Sequence, residues 1–216
     1  MRYLLFLFFL TGLALNAQNV HPFASEVEEI QKRMDSIWVP SEETIVFTGS
    51  SSIRMWNDLQ ERFLDIQIAN TGFGGSQAKD LELYQDELIL NYNPKKVFIY
   101  EGDNDINAKQ RPKAILGTFE RILDNLHQKN PDLEIVLISA KPSISRWHLR
   151  GKYKRFNKKL NKLAAERTKV SYTDVWNIML NKRKLKKELF IEDGLHMNKK
   201  GYDLWYSVLK DSVNTK

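Results

Sequence analysis

The sequence predicts an α/β protein in which a parallel sheet is covered by helices on both faces. Three observations carry that expectation. Five apolar runs of strand length recur along the 216-residue chain, at Thr44 to Thr48, Ile66 to Ala69, Lys96 to Tyr100, Glu134 to Ser139 and Val170 to Thr173. Their Val, Ile and Phe content is nearly continuous, which suits strands buried on both faces better than the in-and-out alternation of a half-exposed antiparallel sheet. Stretches of helical periodicity lie between the runs and are long enough to serve as crossover connections.

The helices expected are Ala24 to Ile37, Ala78 to Asn91, Pro112 to Gln128, Lys152 to Arg167 and Asn198 to Leu209. Pro112 suits a first helical turn, and Asn198 suits an N-cap. The pairs Asn93-Pro94, Asn130-Pro131 and Lys141-Pro142 punctuate the units. No repeat or low-complexity linker divides the chain. The expectation is one three-layer α/β/α sandwich with a five-stranded parallel sheet, spanning residues 18–216, within the size range of one ordinary domain.

The N-terminus reads differently from the rest. Met1-Arg2-Tyr3, an apolar run from Leu4 to Leu10 and a small residue at Ala17 form the pattern of a secretory signal peptide, residues 1–17. The run falls short of the ~20 apolar residues that a membrane span needs. Cleavage after Ala17 would export the mature chain to the periplasm or the medium without a membrane span. The chain has no cysteine, so disulfides and thiolate metal sites are excluded and stability must come from core packing.

The formal charge is +6, one less once Arg2 leaves with the signal. Most of the excess sits in Lys152 to Lys169 and Lys182 to Lys187. In the first run Phe156, Leu160 and Leu163 share a helical stripe with lysines around it, the pattern of a solvated amphipathic face. Charge of that kind confers solubility, and it does not by itself imply nucleic-acid binding.

In a doubly wound fold, ligands sit beyond the carboxyl ends of the strands, and each chemically suggestive block of this chain follows a strand. Gly49-Ser50-Ser51-Ser52 reads as strand, tight turn and helix start, with a serine beside free backbone N–H groups and the positive end of the helix dipole. Any of the three serines could be the reactive one on this reading. Asp193-Gly194-Leu195-His196 precedes the last helix; a turn with Gly inside can bring both side chains to one side, so that an acid orients a His and the His deprotonates a Ser. A buried acid is the usual form of such an arrangement.

Two further blocks could supply hydrogen-bond donors. Gly72-Phe73-Gly74-Gly75 lets the backbone approach a ligand closely. It is not a dinucleotide loop, because the sixth position of a Gly-x-Gly-x-x-Gly count is Gln77 and no such loop follows the first strand. Gly102-Asp103-Asn104-Asp105 offers a neutral amide donor in Asn104. Asp103, Asp105 and Asn107 resemble the opening of a calcium loop, but Ala108 and Ala114 stand where that loop needs Gly and Glu. Neither a metal nor a cofactor is expected.

Taken in order, the four blocks resemble the SGNH family of hydrolases, also called GDSL-type esterases and lipases, and the resemblance runs from about Thr44 to Gly201. It implies a flavodoxin-like SGNH fold, with Ser51 as the nucleophile and Asp193 and His196 as its partners. The implied oxyanion donors are the Ser51 and Gly75 N–H groups and the Asn104 amide. Ser50 stands where the family has Asp, and Ser52 where it has an apolar residue. The Gly-Ser-Ser-Ser-Ile opening and the approach Glu188-Leu189-Phe190 are most similar to the subgroup of platelet-activating-factor acetylhydrolase subunits, which implies a small acyl group such as acetyl. Arg146, Trp147 and His148, after the fourth strand, are candidates to line the substrate pocket; Trp147 would suit an acetylated glycan. A lysophospholipase and a noncatalytic binding protein on the same fold are the alternatives.

Overall fold

The computed structural model describes residues 21–214, so the expected signal segment 1–17 lies outside the described residues. Five strands form the main sheet: β1 (Thr44–Gly49), β2 (Gln67–Gly72), β3 (Lys96–Tyr100), β4 (Glu134–Ile138) and β5 (Val170–Thr173). Their order is β2-β1-β3-β4-β5 and every pairing is parallel. The expected three-layer sandwich and its strands are borne out, with β2 running three residues further than its apolar run, through Asn70, Thr71 and Gly72. Pairing with β1 carries the strand past the point where its hydrophobicity ends: Thr48 faces Thr71 and Gly49 faces Gly72.

Helices flank the sheet: α1 (Ala24–Asp35), α2 (Ser51–Arg54), α3 (Ala78–Leu83), α4 (Gln85–Leu88), α5 (Asp103–Asn107), α6 (Pro112–Lys129), α7 (Arg150–Ala165) and α8 (Lys199–Asn214). Strand side chains alternate between two cores, as a period of two requires. Val46, Val97, Ile99, Ile135 and Leu137 pack with α1, α3, α6 and α7. Ile45, Phe47, Phe98, Tyr100, Val136 and Ile138 pack on the other face with Trp56 and with Tyr202, Trp205 and Leu209 of α8. In α6 the buried set Ile115, Thr118, Phe119, Ile122, Leu123 and Leu126 has helical spacing. In α7 the stripe Phe156, Leu160 and Leu163 is buried with lysines outside it, as its periodicity predicts. Asn198 Oδ1 accepts the Gly201 N–H at 3.3 Å ahead of α8, the capping contact expected of it.

Two local features differ from the sequence expectation. The helix expected over Ala78 to Asn91 is broken into α3, α4 and a 3₁₀ turn at Leu90–Tyr92. Side chains take over carbonyls along the broken stretch: Gln85 Nε2 donates to Glu82 O at 2.8 Å, and Thr71 Oγ1 donates to Leu88 O at 2.8 Å. A small antiparallel hairpin, β6 (Leu180–Asn181) with β7 (Lys184–Leu185), carries the second basic run and was not foreseen.

The topology creates one place for a site. Strand order reverses between β1 and β3, and ligands of open α/β sheets bind at that switch point beyond the carboxyl ends. The register levels the strand ends there, with Gly49 opposite Gly72 on one side and Tyr100 on the other. Ser50, Phe73 and Glu101 therefore all leave the sheet at the same height.

Candidate active site

At the end of β1 the backbone turns sharply at Gly49, whose φ is +121°. A Cβ there would lie 2.0 Å from the Tyr100 carbonyl oxygen, so no other residue fits. The turn places Ser51 at the first position of α2. Ser51 Oγ lies 2.9 Å from His196 Nε2, and His196 Nδ1 lies 2.5 Å from Asp193 Oδ2. Among the described residues it is Ser51, of the three adjacent serines, that meets this His. Ser50 Oγ donates instead to Asp103 Oδ1 at 3.4 Å. Ser52 is buried, and its carbonyl accepts the Tyr202 hydroxyl at 3.0 Å.

The acid and the His share a four-residue turn, Asp193 to His196. Asp193 Oδ1 accepts the Leu195 and His196 N–H groups at 2.8 and 2.9 Å, which frees Oδ2 for the imidazole. Gly194 sits at φ +63° under Ile144, whose side chain would lie 3.0 Å from an added Cβ. The Gly194 carbonyl in turn accepts the Ile144 and Ser145 N–H groups at 2.8 and 3.0 Å. Desolvation pushes the Asp193 pKa up, but the His196 side chain and the two backbone N–H groups outweigh it and hold the carboxyl at about 2. Asp193 is thus ionised throughout the neutral range. It is not a buried acid, since its side chain is 42% exposed; backbone hydrogen bonds, rather than burial, fix it.

The two donor-bearing blocks meet across β1. Asn104, in the first turn of α5, donates from Nδ2 to Ser76 O at 2.9 Å, leaving its second amide hydrogen for a ligand. Gly75 is exposed, and neither its N–H nor that of Ser51 has an acceptor among the described residues. A nucleophile, a base, an acid and unsatisfied donors at a switch point are the parts that acyl transfer requires.

A family model for the GDSL-like lipase/acylhydrolase family matches residues 35–204. The chain belongs to that family. The resemblance to SGNH hydrolases read from the four blocks is therefore borne out, and with it membership of a family that cleaves esters. The chain is similar to a structure from Streptococcus pneumonia described as a candidate platelet activating factor, with 28% identity over 88% of this chain and 93% of the other, and a TM-score of 0.78. A GDSL-like lipase from Bacteroides thetaiotaomicron shares the fold at 19% identity over 88% and 97% of the two chains, with a TM-score of 0.74. An acetyl-xylooligosaccharide esterase from Geobacillus does so at 16% identity over 81% and 95%, with a TM-score of 0.65. No curated protein matches the chain.

The departure from the family motif at Ser50 has a local counterpart. Asp103, which is 5% exposed, faces Ser50 and also accepts the Tyr100 hydroxyl at 3.2 Å and Arg146 Nη1 at 3.4 Å. Burial, followed by the Asp103 charge, holds the Tyr100 phenol well above its usual range, so it stays a donor. Arg146 Nη2 donates to Asn104 Oδ1 at 3.0 Å. The Arg146 guanidinium turns inward to the Asn104 amide, beside the site's donors, and not into the cavity that Trp147 lines. Trp147 does line a cavity, and His148 is exposed outside that lining.

Two buried ionisable groups near the site were not singled out from sequence. Lys141, 2% exposed, donates from Nζ to Leu195 O at 2.6 Å, inside the acid–histidine turn. Burial lowers its pKa to about 8 despite the opposing charges of Asp103 and Asp193. Glu101 is fully buried, with Oε1 2.5 Å from Ser76 Oγ and Oε2 without a partner. Burial, and next the Asp105 charge, raise its pKa well above the usual range. Both lie just past strand ends, Glu101 immediately after β3 and Lys141 three residues after β4, and that position is the signal by which sequence reading could have found them. Among the described residues no group of three or more His, Asp or Glu side chains is arranged to hold a metal ion, and no helix is long and apolar enough to cross a membrane.

Proposed function

We propose that the protein is a serine esterase that removes short acyl groups, acetyl foremost, from a small-molecule or carbohydrate ester through an acyl-enzyme. The observation that carries this reading is the relay from Ser51 Oγ through His196 to Asp193, at 2.9 and 2.5 Å. Ser51 Oγ attacks the ester carbonyl while His196 Nε2 takes its proton, and Asp193 stabilises the imidazolium. The carbonyl oxygen, now negative, accepts hydrogen bonds from the Ser51 and Gly75 N–H groups and from Asn104. Collapse of the tetrahedral intermediate breaks the bond to the alcohol, which takes the proton from His196. Water then repeats the sequence against the acyl-Ser51, releasing the carboxylic acid and restoring the serine. Every proton taken is returned, so the cycle requires no cofactor.

The preference for acetyl is supported by the likeness of the Gly-Ser-Ser-Ser-Ile opening to platelet-activating-factor acetylhydrolase subunits. Carbohydrate as the alcohol is supported by Trp147, which lines a cavity together with Ile144, the residue that packs over Gly194, since aromatic rings stack on sugars. Export is supported by the leader-like residues 1–17. The test is p-nitrophenyl acetate hydrolysis by the mature chain beside Ser50→Ala, Ser51→Ala and Ser52→Ala. Abolished turnover in Ser51→Ala, with turnover lowered but measurable in Ser50→Ala and Ser52→Ala, is expected. An inactive wild type that also fails to react with a fluorophosphonate would point instead to a noncatalytic binding protein. A chain-length series favouring long acyl groups over acetyl would point to a lysophospholipase.

A further inference from the structure

The second basic run is not explained by the catalytic groups. Arg183, Lys184 and Lys187 lie on and just after the β6–β7 hairpin and, with Ile144, Trp147 and Leu185, line a cavity of about 480 Å³. None of the three cations has a carboxylate partner among the described residues. Other exposed cations, Lys158, Lys159 and Lys210 among them, also lack a carboxylate partner, so what sets these three apart is that they gather around one cavity. Three like charges gathered around one cavity repel each other, and an anion bound there would relieve that repulsion.

The cavity adjoins the catalytic groups through one short loop. Its Ile144 packs over Gly194 and bonds the Gly194 carbonyl, while Arg146, one residue before Trp147, holds the Asn104 amide. The apolar lining is braced: Trp147 stacks on Trp176 at 6.3 Å and 12°, and the Arg150 guanidinium lies 5.6 Å from its ring centre. A firm aromatic wall and unpaired cations stand together on the rim of the acid–histidine turn.

We infer that this cavity is a subsite for the alcohol part of the ester, and that it takes an alcohol with a ring or aliphatic body bearing a carboxylate, sulfate or phosphate. The inference rests on the esterase reading above and specifies its substrate class. The apolar lining covers the body of the alcohol, and the three cations attract its charge both at a distance and in contact.

The experiment compares two acetate esters of nearly equal reactivity, those of 4-hydroxyphenylacetate and of its methyl ester. At low salt kcat/KM should be about tenfold higher for the free acid, the scale expected of a few exposed ion pairs acting together. The ratio should fall toward one at about 0.5 M salt, and in the variant Arg183→Ser/Lys184→Ser/Lys187→Ser or, less completely, in Arg183→Ser alone. The same pair built on an acetylated uronic acid and its methyl ester should show the same sense of preference if the natural alcohol is a sugar. A ratio of one or less in the wild type, or a ratio unchanged in a triple variant with wild-type circular dichroism, would overturn the subsite. Cleavage of neither ester, with Ser51→Ala indistinguishable from wild type, would overturn the esterase reading and the subsite with it.

Discussion

The two halves of the site are built in opposite ways. The half at the switch point is held from inside the protein: Ser50, Ser76, Glu101 and Asp103 are buried, and their side chains bond one another across β1 and β3. The half that carries Asp193 and His196 is a surface turn, with Asp193 exposed and both residues fixed chiefly by backbone hydrogen bonds within four positions of the chain. Donors that must meet a transient charge need a rigid frame, because pre-organisation is what makes them effective. An acid–base pair needs the right mutual geometry, most of which a short turn supplies, with the Ile144 and Ser145 N–H groups and Lys141 holding that turn from outside. Substitutions in the turn should therefore change turnover and little else, whereas substitutions at the switch point should change turnover and stability together.

The largest effects test the turn. His196→Ala should lower kcat on the order of 10⁶-fold, as loss of the base does in other serine hydrolases, and Asp193→Asn roughly 10⁴-fold. Both should melt close to wild type, since surface changes away from the core are normally small. The measurement is kcat for p-nitrophenyl acetate beside thermal unfolding. A large drop in melting temperature for Asp193→Asn would show that the turn is structural scaffolding and would break the contrast.

Next in size is the donor side. Asn104→Ala should cost ~10²–10³-fold in kcat. Arg146 holds the carbonyl oxygen of that amide, so its charge orients Asn104 and polarises the remaining N–H. Arg146→Met should then cost about tenfold in the wild type and little once Asn104 is already Ala, a coupling that a double-mutant cycle reads directly. If the two losses multiply, Arg146 acts by some route other than Asn104.

A smaller effect concerns Glu101, whose pKa is raised in the fold. Between the unfolded value of 4.5 and the higher folded value the native state holds the extra proton, so stability falls as pH rises through that window. Glu101→Gln keeps the shape and an acceptor for Ser76 Oγ without the burden of a buried charge. It should melt at least ~2 °C above wild type at pH 7, roughly what a gain of 1 kcal/mol gives for a chain of this size, with the gap closing at pH 4. An equal or lower melting temperature at pH 7 would mean that the Glu101 carboxylate is stabilised by something besides Ser76.

What could be read from the sequence divides along the same line. The strands were legible because their burial on both faces leaves unbroken apolar runs, and the acid–histidine turn because it is local, with Asp193 and His196 three residues apart around a Gly. The position of Ser51 relative to Ser50 and Ser52 was not legible from residue chemistry, since all three carry the same hydroxyl; it took the register of β1 against β3 to send Ser50 toward Asp103 and Ser51 toward His196. The direction of the Arg146 side chain was hidden for a related reason. Its sequence neighbour Trp147 faces the cavity, but partners 42 and 43 residues away decide where the guanidinium goes. The exposure of Asp193 was equally hidden, because a short polar turn reads the same whether it is covered or not.

The smallest and most diagnostic effect belongs to Lys141, the one buried charge that supports the exposed turn. Its ammonium donates to Leu195 O and lies 5.8 Å from the Phe190 ring centre, so removing it loses a hydrogen bond while relieving a desolvated charge. These terms oppose each other: an unsatisfied carbonyl costs about 1–3 kcal/mol, and a pKa lowered from 10.5 to about 8 corresponds to a burial cost on the order of 3 kcal/mol at neutral pH. Lys141→Met should therefore be close to wild type in stability at pH 7. The pH dependence separates the terms. Above about pH 8 the folded lysine is neutral while the unfolded one still binds a proton, so wild-type stability rises with pH toward 10.5 and that of Lys141→Met lacks this rise. The variant should fall behind wild type as pH increases from 8 to 10. Parallel stability curves across that range would mean that Lys141 keeps its proton in the fold, and that the acid–histidine turn rests on a charged lysine rather than on one close to losing its charge.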